Sequence, residues 1–364
     1  MEQERKKPIS EIRKEIDDVD EEILKLLNRR AELALEIGRI KRSDAKPYYT
    51  PERERQIYER LLRLSRGPLQ KSQIQAVFRE IISAVRSLEK HLVVCYLGPE
   101  GSLSHSAALK QFGDSVECVA CTTIEEAFRA VENGKADYAV APVENSVSGM
   151  VPETLDMFPQ TNVKICGEVY LPVSHHLLSR SPQKKIKRVY AQPQTIEECR
   201  TWLRTHLPHV EIIETASVHR ASEHATRERN AGAIGNKFDA ERTGLRVVAE
   251  HIEDNPHGRT RFLVVGYNEP APTGNDKTSL MFNLRNRPGE LYRALGAFNR
   301  HKVNIMVIES RPAKRASFEY IFYVDCAGHH TDEHLSKAIQ SLKKYALECV
   351  VLGSYPIALD AESP

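Results

Sequence analysis

The chain has 364 residues, of which 41% are hydrophobic and 28% are charged, a balance that is ordinary for a globular protein. Its length suits two or three domains. The formal net charge of +2 argues against nucleic acid as a partner, and no apolar stretch is long enough to cross a membrane. The N-terminal segment lacks the apolar core of a signal peptide, and the seven cysteines are an odd number. These features predict a cytoplasmic protein in a reducing compartment.

The first 90 residues show only helical periodicity. Apolar residues recur in steps of three and four from Ile12 to Ile40, which places them on one face of a long helix that ends near Arg42. That face must be buried. A second helix is predicted from Pro51 to about Leu64 and a third from about Leu69 to Lys90. One long helix and two shorter ones make a poor core within a single chain.

Arg30 occupies a position within this apolar row. A buried guanidinium without a counter-charge costs several kcal/mol, so an anion must lie opposite it. Lys41 lies eleven residues later, about 16 Å along the same face, so both side chains can reach a small ligand. Arg13 lies seventeen residues before Arg30, about 25 Å away and too far to share that ligand within one straight helix. We therefore expect an antiparallel dimer in which Arg13 of one chain completes the anion site of the other. The alternative is that these residues are ordinary solvated helix cations.

From Leu92 onward the pattern changes to alternating strands and helices, which is typical of an α/β domain. It runs to a strand at 261–267, and a linker with two prolines follows at 268–276. Strands and helices then occur in the order βαββαβ, the order of a ferredoxin-like sandwich. We expect three domains, all-α at residues 1–91, α/β at 92–268 and α+β at 277–357.

Motifs in all three segments resemble those of the bifunctional P-protein family of phenylalanine biosynthesis. They are GPEGSLSHSAA, PVENSVSG followed by ETLD, LPVSHHLL, IEDNPHGRTRFLVVG, and RPGELYRALGAF with VNIMVIESRP. The resemblance covers residues 9–357 and implies a helical chorismate mutase, a two-lobed α/β prephenate dehydratase and a C-terminal ACT regulatory domain. It implies no cofactor and no metal. The implied partners are chorismate, prephenate and the effector L-phenylalanine, in a homodimer or a dimer of dimers.

The resemblance gives the helical site a substrate. Chorismate rearranges to prephenate without a nucleophile, so catalysis must come from holding a reactive conformer and stabilising charge on the breaking ether oxygen. By motif position, the implied mutase residues are Arg13, Arg30, Lys41, Arg53, Glu54 and Glu89. Arg30 and Arg13 of the partner subunit would bind the two carboxylates. Lys41 would donate to the ether oxygen, and Glu54 would hold a substrate hydroxyl.

Two of these helical positions depart from the best-known bacterial pattern. Thr50 stands where an aspartate often occurs, and Glu89 stands where a glutamine donates a second hydrogen bond to the ether oxygen. An ionised carboxylate has no proton to donate. Either burial must raise the pKa of Glu89 from about 4.3, or the mutase rate must fall with rising pH.

In the central domain the resemblance implies that Thr260 is the catalytic threonine. Prephenate must lose carbon dioxide and a ring hydroxyl, and the departing hydroxide needs a proton donor. Residues where strands end and helices begin are expected to bind carboxylates, because backbone N–H groups are available there. For a serine or asparagine at such a place, helix capping is the alternative. The substrate-binding candidates are Gly101, Ser102, Glu144, Asn145, Ser146, Gln194, Arg261 and Phe262.

Three residues in this domain depart from the family pattern. Ala191 and Gln192 replace the serine and histidine of a run like YSHPQ, and Leu103 replaces an aromatic residue. A mutase whose dehydratase domain is inactive or prefers arogenate is therefore one alternative. Two-lobed α/β clefts also occur in solute-binding proteins, so a non-catalytic amino-acid-sensing protein is another.

The C-terminal segment resembles ACT domains that bind phenylalanine. The implied effector residues lie at the start of its first helix and in the ESRP turn: Gly289, Glu290, Leu291, Glu309, Ser310, Arg311 and Pro312. Glu290 replaces a small residue, and an inward-pointing side chain there would change the affinity or the preferred ligand. ACT domains usually pair side by side, which again implies an oligomer.

Overall fold

The computed structural model describes residues 7–43, 47–313 and 320–359. Within those residues the chain divides into two compact units. One contains the N-terminal helices up to Leu92 together with Gln111–Glu117, and the other contains Val93–Lys110 and the chain from Cys118 onward. In the same ranges, no helix has both the length and the apolar character needed to cross a bilayer.

The N-terminal unit is built from three helices, as the periodicity predicts. They are α1 (Ile9–Ser43), α2 (Pro51–Leu64) and α3 (Lys71–Glu89). Pro51 begins α2, where a proline loses no helical hydrogen bond. Gln70 caps α3 through a reciprocal pair of hydrogen bonds with Gln73, so this helix begins slightly later than the sequence predicted.

The apolar face of α1 is exposed in the single chain. Its eight apolar residues each expose between 43% and 70% of their surface: Ile12, Ile16, Val19, Ile23, Leu26, Leu33, Ile37 and Ile40. A continuous apolar stripe of this kind marks a protein–protein interaction site. The burial predicted for this face is therefore not achieved within one chain.

After α3 the chain enters an α/β region that extends to Gly266. Its elements in chain order are β1 (Val93–Leu97), α4 (Leu103–Phe112), β2 (Glu117–Cys121), α5 (Ile124–Glu132), β3 (Tyr138–Asn145), β4 (Gly149–Met150), α6 (Pro152–Leu155), β5 (Lys164–Pro172), β6 (His176–Ser179), β7 (Arg188–Ala191), α7 (Pro193–Glu198), α8 (Arg200–His206), β8 (Glu211–Glu214), α9 (Val218–Arg227), β9 (Ala231–Gly235), α10 (Lys237–Thr243), β10 (Arg246–Ala249) and β11 (Arg259–Gly266).

Two sheets divide this region into two lobes. The first sheet has the order β2-β1-β3-β11-β5, with β4 beside β3, and the second has the order β10-β6-β9-β7-β8. Strand β1 runs parallel to β3, whereas β11 is antiparallel to both β3 and β5. Because β11 returns from the second lobe to the first sheet, the chain crosses between the lobes twice. The predicted two-lobed α/β fold is confirmed.

The C-terminal domain has the predicted βαββαβ order. Its elements are β12 (Asp276–Asn283), α11 (Glu290–Arg300), β13 (Ile305–Pro312), β14 (Tyr320–Ala327), α12 (Glu333–Leu342) and β15 (Glu348–Pro356). The antiparallel sheet has the order β13-β14-β12-β15, which leaves β13 at an edge. Both helices contribute to a core with Leu280 and Phe282 of the sheet.

The other face of this C-terminal sheet packs on the first lobe. Met281 and Leu352 belong to the same apolar core as Ile165 and Leu263 of that lobe. Gly353 permits the close approach, because a Cβ there would lie 2.1 Å from the carbonyl oxygen of Ile165. The C-terminal domain and the first lobe therefore share one core.

Candidate active sites

Glu89, the last residue of α3, lies against α1. Its side chain is 10% exposed, and its Oε2 is 3.8 Å from Lys41 Nζ. Gly38 permits this contact, because a Cβ there would lie 3.1 Å from Glu89 Cγ. Burial raises the pKa of Glu89, and the cations of Lys41 and Arg86 offset the rise only in part. This is the direction of shift that a proton-donating Glu89 requires.

Glu54 and Arg86 form a buried pair that connects α2 with α3. Glu54 Oε1 accepts a hydrogen bond from Arg86 Nη1 at 2.5 Å, and Arg86 Nη2 donates to the carbonyl oxygen of Phe112 at 2.7 Å. Burial raises the pKa of Glu54, and the Arg86 cation opposes the rise. Among the described residues, Arg86 Nε has no hydrogen-bond partner.

Arg30 belongs to the same charged group. Burial lowers the pKa of Arg30, and the Glu89 carboxylate opposes that shift. Arg53 acts on Arg30 as a like charge, although its own side chain is exposed. Arg13 is exposed and lies about 25 Å away by helical rise. The single chain thus brings Arg30, Lys41, Glu54 and Glu89 together but leaves Arg13 apart.

Arg86 is a member of this group that the sequence analysis missed. It is 5% exposed and lies four residues after Ile82, which is buried on the same face of α3. A charged residue within an apolar row is the signal that identified Arg30. The same test applied to α3 identifies Arg86.

A cavity of about 800 Å³ lies between the two lobes of the α/β region. The turn after β1, the end of β3, the start of α7 and part of β11 contribute to its lining. The predicted dehydratase residues that line it are Gly101, Ser102, Asn145, Gln194, Thr260 and Phe262. The structure therefore brings these residues together around one cavity at the ends of the strands.

Thr260 belongs to a hydrogen-bonded network at the wall of this cavity. Asn145 Nδ2 donates to Thr260 Oγ1 at 3.2 Å and to Glu198 Oε1 at 3.1 Å. Glu198 Oε2 lies 2.5 Å from His175 Nε2, and Gln194 Nε2 donates to Glu198 Oε1 at 3.1 Å. The Oδ1 of Asn145 accepts from two backbone N–H groups of the turn that follows β3. The network holds a hydroxyl, an amide, a carboxyl group and an imidazole in one geometry.

Sequence reasoning missed Glu198 and His175, which are 5% and 8% exposed and line the cavity. Glu198 lies four residues after Gln194 on α7, so helical spacing from a predicted residue could have found it. His175 lies within the motif LPVSHHLL. No regular spacing connects His175 with Glu198, because they lie on separate elements that only the folded lobe brings together.

Arg261 does not lie where the sequence analysis placed it. Thr260 and Phe262 line the cavity, and the alternation of a strand turns Arg261, which lies between them, to the opposite face. Arg261 is 2% exposed, and its guanidinium contacts Glu168 and Asp325 instead. A role in direct substrate binding therefore does not fit this side chain.

Three other predicted positions have structural roles. Ser102 Oγ accepts from the N–H of His105 at 3.2 Å, so Ser102 lines the cavity and also caps α4. Ser146 Oγ accepts from a backbone N–H of β11 at 2.9 Å, and the carboxylate of Glu144 lies 3.8 Å from Arg261 Nη1. The lining of the cavity does not include Ser146 or Glu144.

Two of the three departures in the dehydratase domain are at the cavity itself. Leu103 and Gln192 line it, whereas Ala191 is fully buried at the end of β7. Gly101, also in the lining, has a φ of +79°, and a Cβ there would lie 1.9 Å from the ring of Phe238. Only glycine fits this turn.

The predicted effector residues lie on two elements of the C-terminal domain. Gly289 caps α11 with a φ of 81°, a conformation that favours glycine, and Leu291 is 38% exposed. Glu290 forms an ion pair with Arg293 at 2.7 Å. The ESRP residues Glu309, Ser310, Arg311 and Pro312 end the edge strand β13. Arg311 also lies 3.4 Å from Asp156 of the first lobe.

Three family models match consecutive parts of the chain. The model for chorismate mutase type II matches residues 12–90, that for prephenate dehydratase matches 94–270, and that for the ACT domain matches 278–344. The matches follow the order of the helical, two-lobed and ferredoxin-like regions. Together they define a multidomain enzyme with a regulatory domain.

Individual relatives specify this class further. The bifunctional chorismate mutase/prephenate dehydratase of Aquifex aeolicus is 44% identical over 356 residues, which covers 96% of this chain and 98% of the relative. A prephenate dehydratase from Arthrobacter aurescens, solved in complex with L-Phe, is 32% identical over 75% of this chain and 92% of its own, with a TM-score of 0.68. GqqA, described as a quorum-quenching acylase, is 26% identical over 75% of this chain and 100% of its own, with a TM-score of 0.67. The chain belongs to the family of bifunctional chorismate mutase/prephenate dehydratases.

Proposed function

We propose that this protein rearranges chorismate to prephenate in the helical unit and converts prephenate to phenylpyruvate in the cavity between the lobes. L-Phenylalanine would inhibit the pathway through the ACT domain. The observation that carries the proposal is the match over 96% of the chain to a relative named for both activities. The two groups of polar residues supply a chemically suitable site for each reaction.

The charged group of the helical unit suits chorismate, which is a dianion. Arg30, together with Arg13 of the partner subunit, would offer guanidinium donors for its carboxylates. Lys41 and a protonated Glu89 would donate to the ether oxygen, and Glu54 would accept from a hydroxyl of the substrate. The rearrangement transfers no proton, so these donors act by stabilising the negative charge that develops on the ether oxygen. Partial burial strengthens that interaction, because little water competes with the donors.

The exposed face of α1 supports a homodimer. A second copy packed antiparallel would bury the apolar row on both chains, which is favourable in proportion to the area removed from water. It would also bring Arg13 of the partner subunit toward the Arg30 of the first chain. The edge strand β13 of the ACT domain, with Met306 and Ile308 more than 40% exposed, offers a second surface for pairing. Use of both surfaces would give a dimer of dimers.

The network around Thr260 suits the dehydration of prephenate. The bond from the ring to its carboxylate breaks to release carbon dioxide, and the electron pair moves through the ring to expel the ring hydroxyl. The departing hydroxide takes a proton and leaves as water. Because Asn145 donates to Thr260 Oγ1, the threonine hydroxyl hydrogen is directed away from Asn145 and can be donated to the substrate. A water molecule in the cavity would supply the proton that replaces it, while Glu198 and His175 hold Asn145 in place.

Phenylalanine would bind at the start of α11 in the ACT domain. Backbone N–H groups near Gly289 and Leu291 would bind its carboxylate, because the N-terminus of a helix attracts anions. Groups of the ESRP turn would bind its ammonium. The similarity to a dehydratase solved in complex with L-Phe supports this ligand.

A second candidate concerns the substrate of the cavity. Leu103 and Gln192 line it and both depart from the family pattern, so its selectivity can differ from that of a typical prephenate site. Arogenate carries an ammonium group where prephenate carries a keto group. An arogenate-preferring or inactive second domain would leave the mutase proposal unchanged.

An ultraviolet assay of the purified full chain tests the proposal. Given chorismate, the protein should consume it and release phenylpyruvate, and it should also produce phenylpyruvate from supplied prephenate. Consumption of chorismate and arogenate, without turnover of prephenate, would favour the second candidate. No turnover of chorismate, prephenate or arogenate would contradict both and favour a binding protein.

A further inference from the structure

Arg261 belongs to a buried cluster of charges next to Thr260. Its Nε lies 2.8 Å from Glu168 Oε2, its Nη1 lies 2.6 Å from Asp325 Oδ2, and its Nη2 donates to the hydroxyl of Tyr355 at 3.0 Å. Lys277 Nζ lies 2.8 Å from the same Glu168 oxygen. The four charged side chains are at most 11% exposed. Two cations and two carboxylates balance, so removing any one of them leaves a buried charge without its partner.

The cluster joins two domains. Glu168 on β5 and Arg261 on β11 belong to the first lobe, whereas Lys277 on β12, Asp325 on β14 and Tyr355 on β15 belong to the ACT domain. On the ACT side, a serine of β12 donates to Asp325 Oδ1 at 2.5 Å and contacts the Tyr355 hydroxyl at 2.7 Å. The ACT groups that hold Arg261 are therefore themselves held in one geometry.

Thr260 and Arg261 are neighbouring residues of strand β11. Thr260 pairs with Asn145 of β3, and Arg261 pairs with Glu144. The pairing with β3 shifts its register directly after Arg261, whereas the pairing with β5 stays regular there. Successive side chains point to opposite faces, so a displacement of the strand that pulls Arg261 from its cluster also moves the Thr260 hydroxyl relative to Asn145.

We propose that Arg261 is a positioning residue through which the ACT domain sets the geometry of Thr260. The inference rests on the proposed dehydratase function of the cavity. A change in the ACT sheet that shifts Asp325 or Tyr355 moves the ion-pair and hydrogen-bond partners of Arg261. The displaced Arg261 then changes the position of the Thr260 hydroxyl. Effector binding and dehydration are then coupled through one buried guanidinium, and the coupling between the two ligands is reciprocal.

The test uses full-length chains changed on the ACT side of the cluster. Asp325→Asn removes one charge, and Tyr355→Phe removes only a hydroxyl. Lys164→Met is the matched control, because Lys164 Nζ donates across the same domain junction to the carbonyl oxygen of Val351 at 2.8 Å without joining the cluster. Each chain is assayed for dehydratase kcat and KM, for inhibition by L-phenylalanine, for L-phenylalanine binding by calorimetry and for mutase activity.

Asp325→Asn should lower the dehydratase kcat by about tenfold to a hundredfold, because a small misplacement of a catalytic group has effects of that size. KM for prephenate and mutase turnover should not change. Bound L-phenylalanine should still be detected by calorimetry but should inhibit less, and Tyr355→Phe should show a smaller effect in the same direction. Lys164→Met should behave as the wild type.

Unchanged kcat and inhibition in Asp325→Asn and Tyr355→Phe chains that unfold cooperatively would overturn the inference. An equal loss in Lys164→Met would also overturn it, because general packing at the junction would then be the cause. If Asp325→Asn does not fold, Tyr355→Phe decides. A wild-type chain without dehydratase activity would instead refute the proposed function.

Discussion

Replacing Glu89 by glutamine should remove the pH dependence of the mutase reaction. The side chain is 10% exposed, and Lys41 Nζ lies 3.8 Å from its Oε2. The Lys41 cation favours the ionised carboxylate, yet burial has the larger effect and raises the pKa of Glu89. Only the protonated carboxyl group can donate to the ether oxygen. Wild-type kcat/KM should therefore fall about tenfold for each pH unit above that raised pKa.

Glutamine keeps a donor at the same position and has no proton to lose. The Glu89→Gln profile should therefore be flat over the same range and should exceed the wild-type rate at alkaline pH. The assay follows the ultraviolet absorbance of chorismate at constant ionic strength. Glu59→Gln serves as the control, because Glu59 belongs to the same unit but is 48% exposed. The same decline in wild type and Glu89→Gln would refute the role of Glu89.

Arg13→Ala and Arg30→Ala chains should each be inactive alone, but mixing them should restore about a quarter of the mutase sites. Half of the dimers are then mixed, and one of the two sites in each mixed dimer holds both arginines. No recovery of activity after verified subunit exchange would contradict the antiparallel dimer. Arg86→Met should destabilise the helical unit by about 3–5 kcal/mol, because it leaves the buried Glu54 carboxylate without its partner. Chemical denaturation measures this loss of stability. Adding Glu54→Leu to Arg86→Met should largely restore the free energy of unfolding. If Arg86→Met alone is as stable as the wild type, the buried pair does not stabilise the unit. Glu290→Ala should tighten L-phenylalanine binding about twofold to fivefold in calorimetry, because it removes a carboxylate from the helix end that would bind the ligand carboxylate. Glu333→Ala in the first turn of α12 is its control, and an unchanged affinity for Glu290→Ala would argue against binding at this helix end.

The order and type of the elements could be predicted where a strong local signal marks them. The apolar period of α1, the proline that begins α2 and the alternation of strands and helices after Leu92 depend only on neighbouring residues. The start of α3 was placed slightly too early because the capping contact between Gln70 and Gln73 was not recognised.

Candidate site residues were predicted only where a local pattern marked them. Arg30 interrupts an apolar row, and Thr260 and Asn145 lie in recognisable motifs. The pair of Glu198 and His175 has no such pattern, because two different elements must fold before it exists. The orientation of Arg261 depended on which face of β11 meets the ACT sheet, and a motif read as a string of residues does not contain that information.

Two separation-of-function variants test most directly the central claim that this chain has two active sites in two regions. Arg30→Ala should produce phenylpyruvate from prephenate but should not consume chorismate. Thr260→Val should consume chorismate and accumulate prephenate. An equimolar mixture of the two variants, given chorismate, should again produce phenylpyruvate, because prephenate released by one chain is the substrate of the other. Loss of both activities in either folded variant, or phenylpyruvate from chorismate with one variant alone, would contradict this assignment.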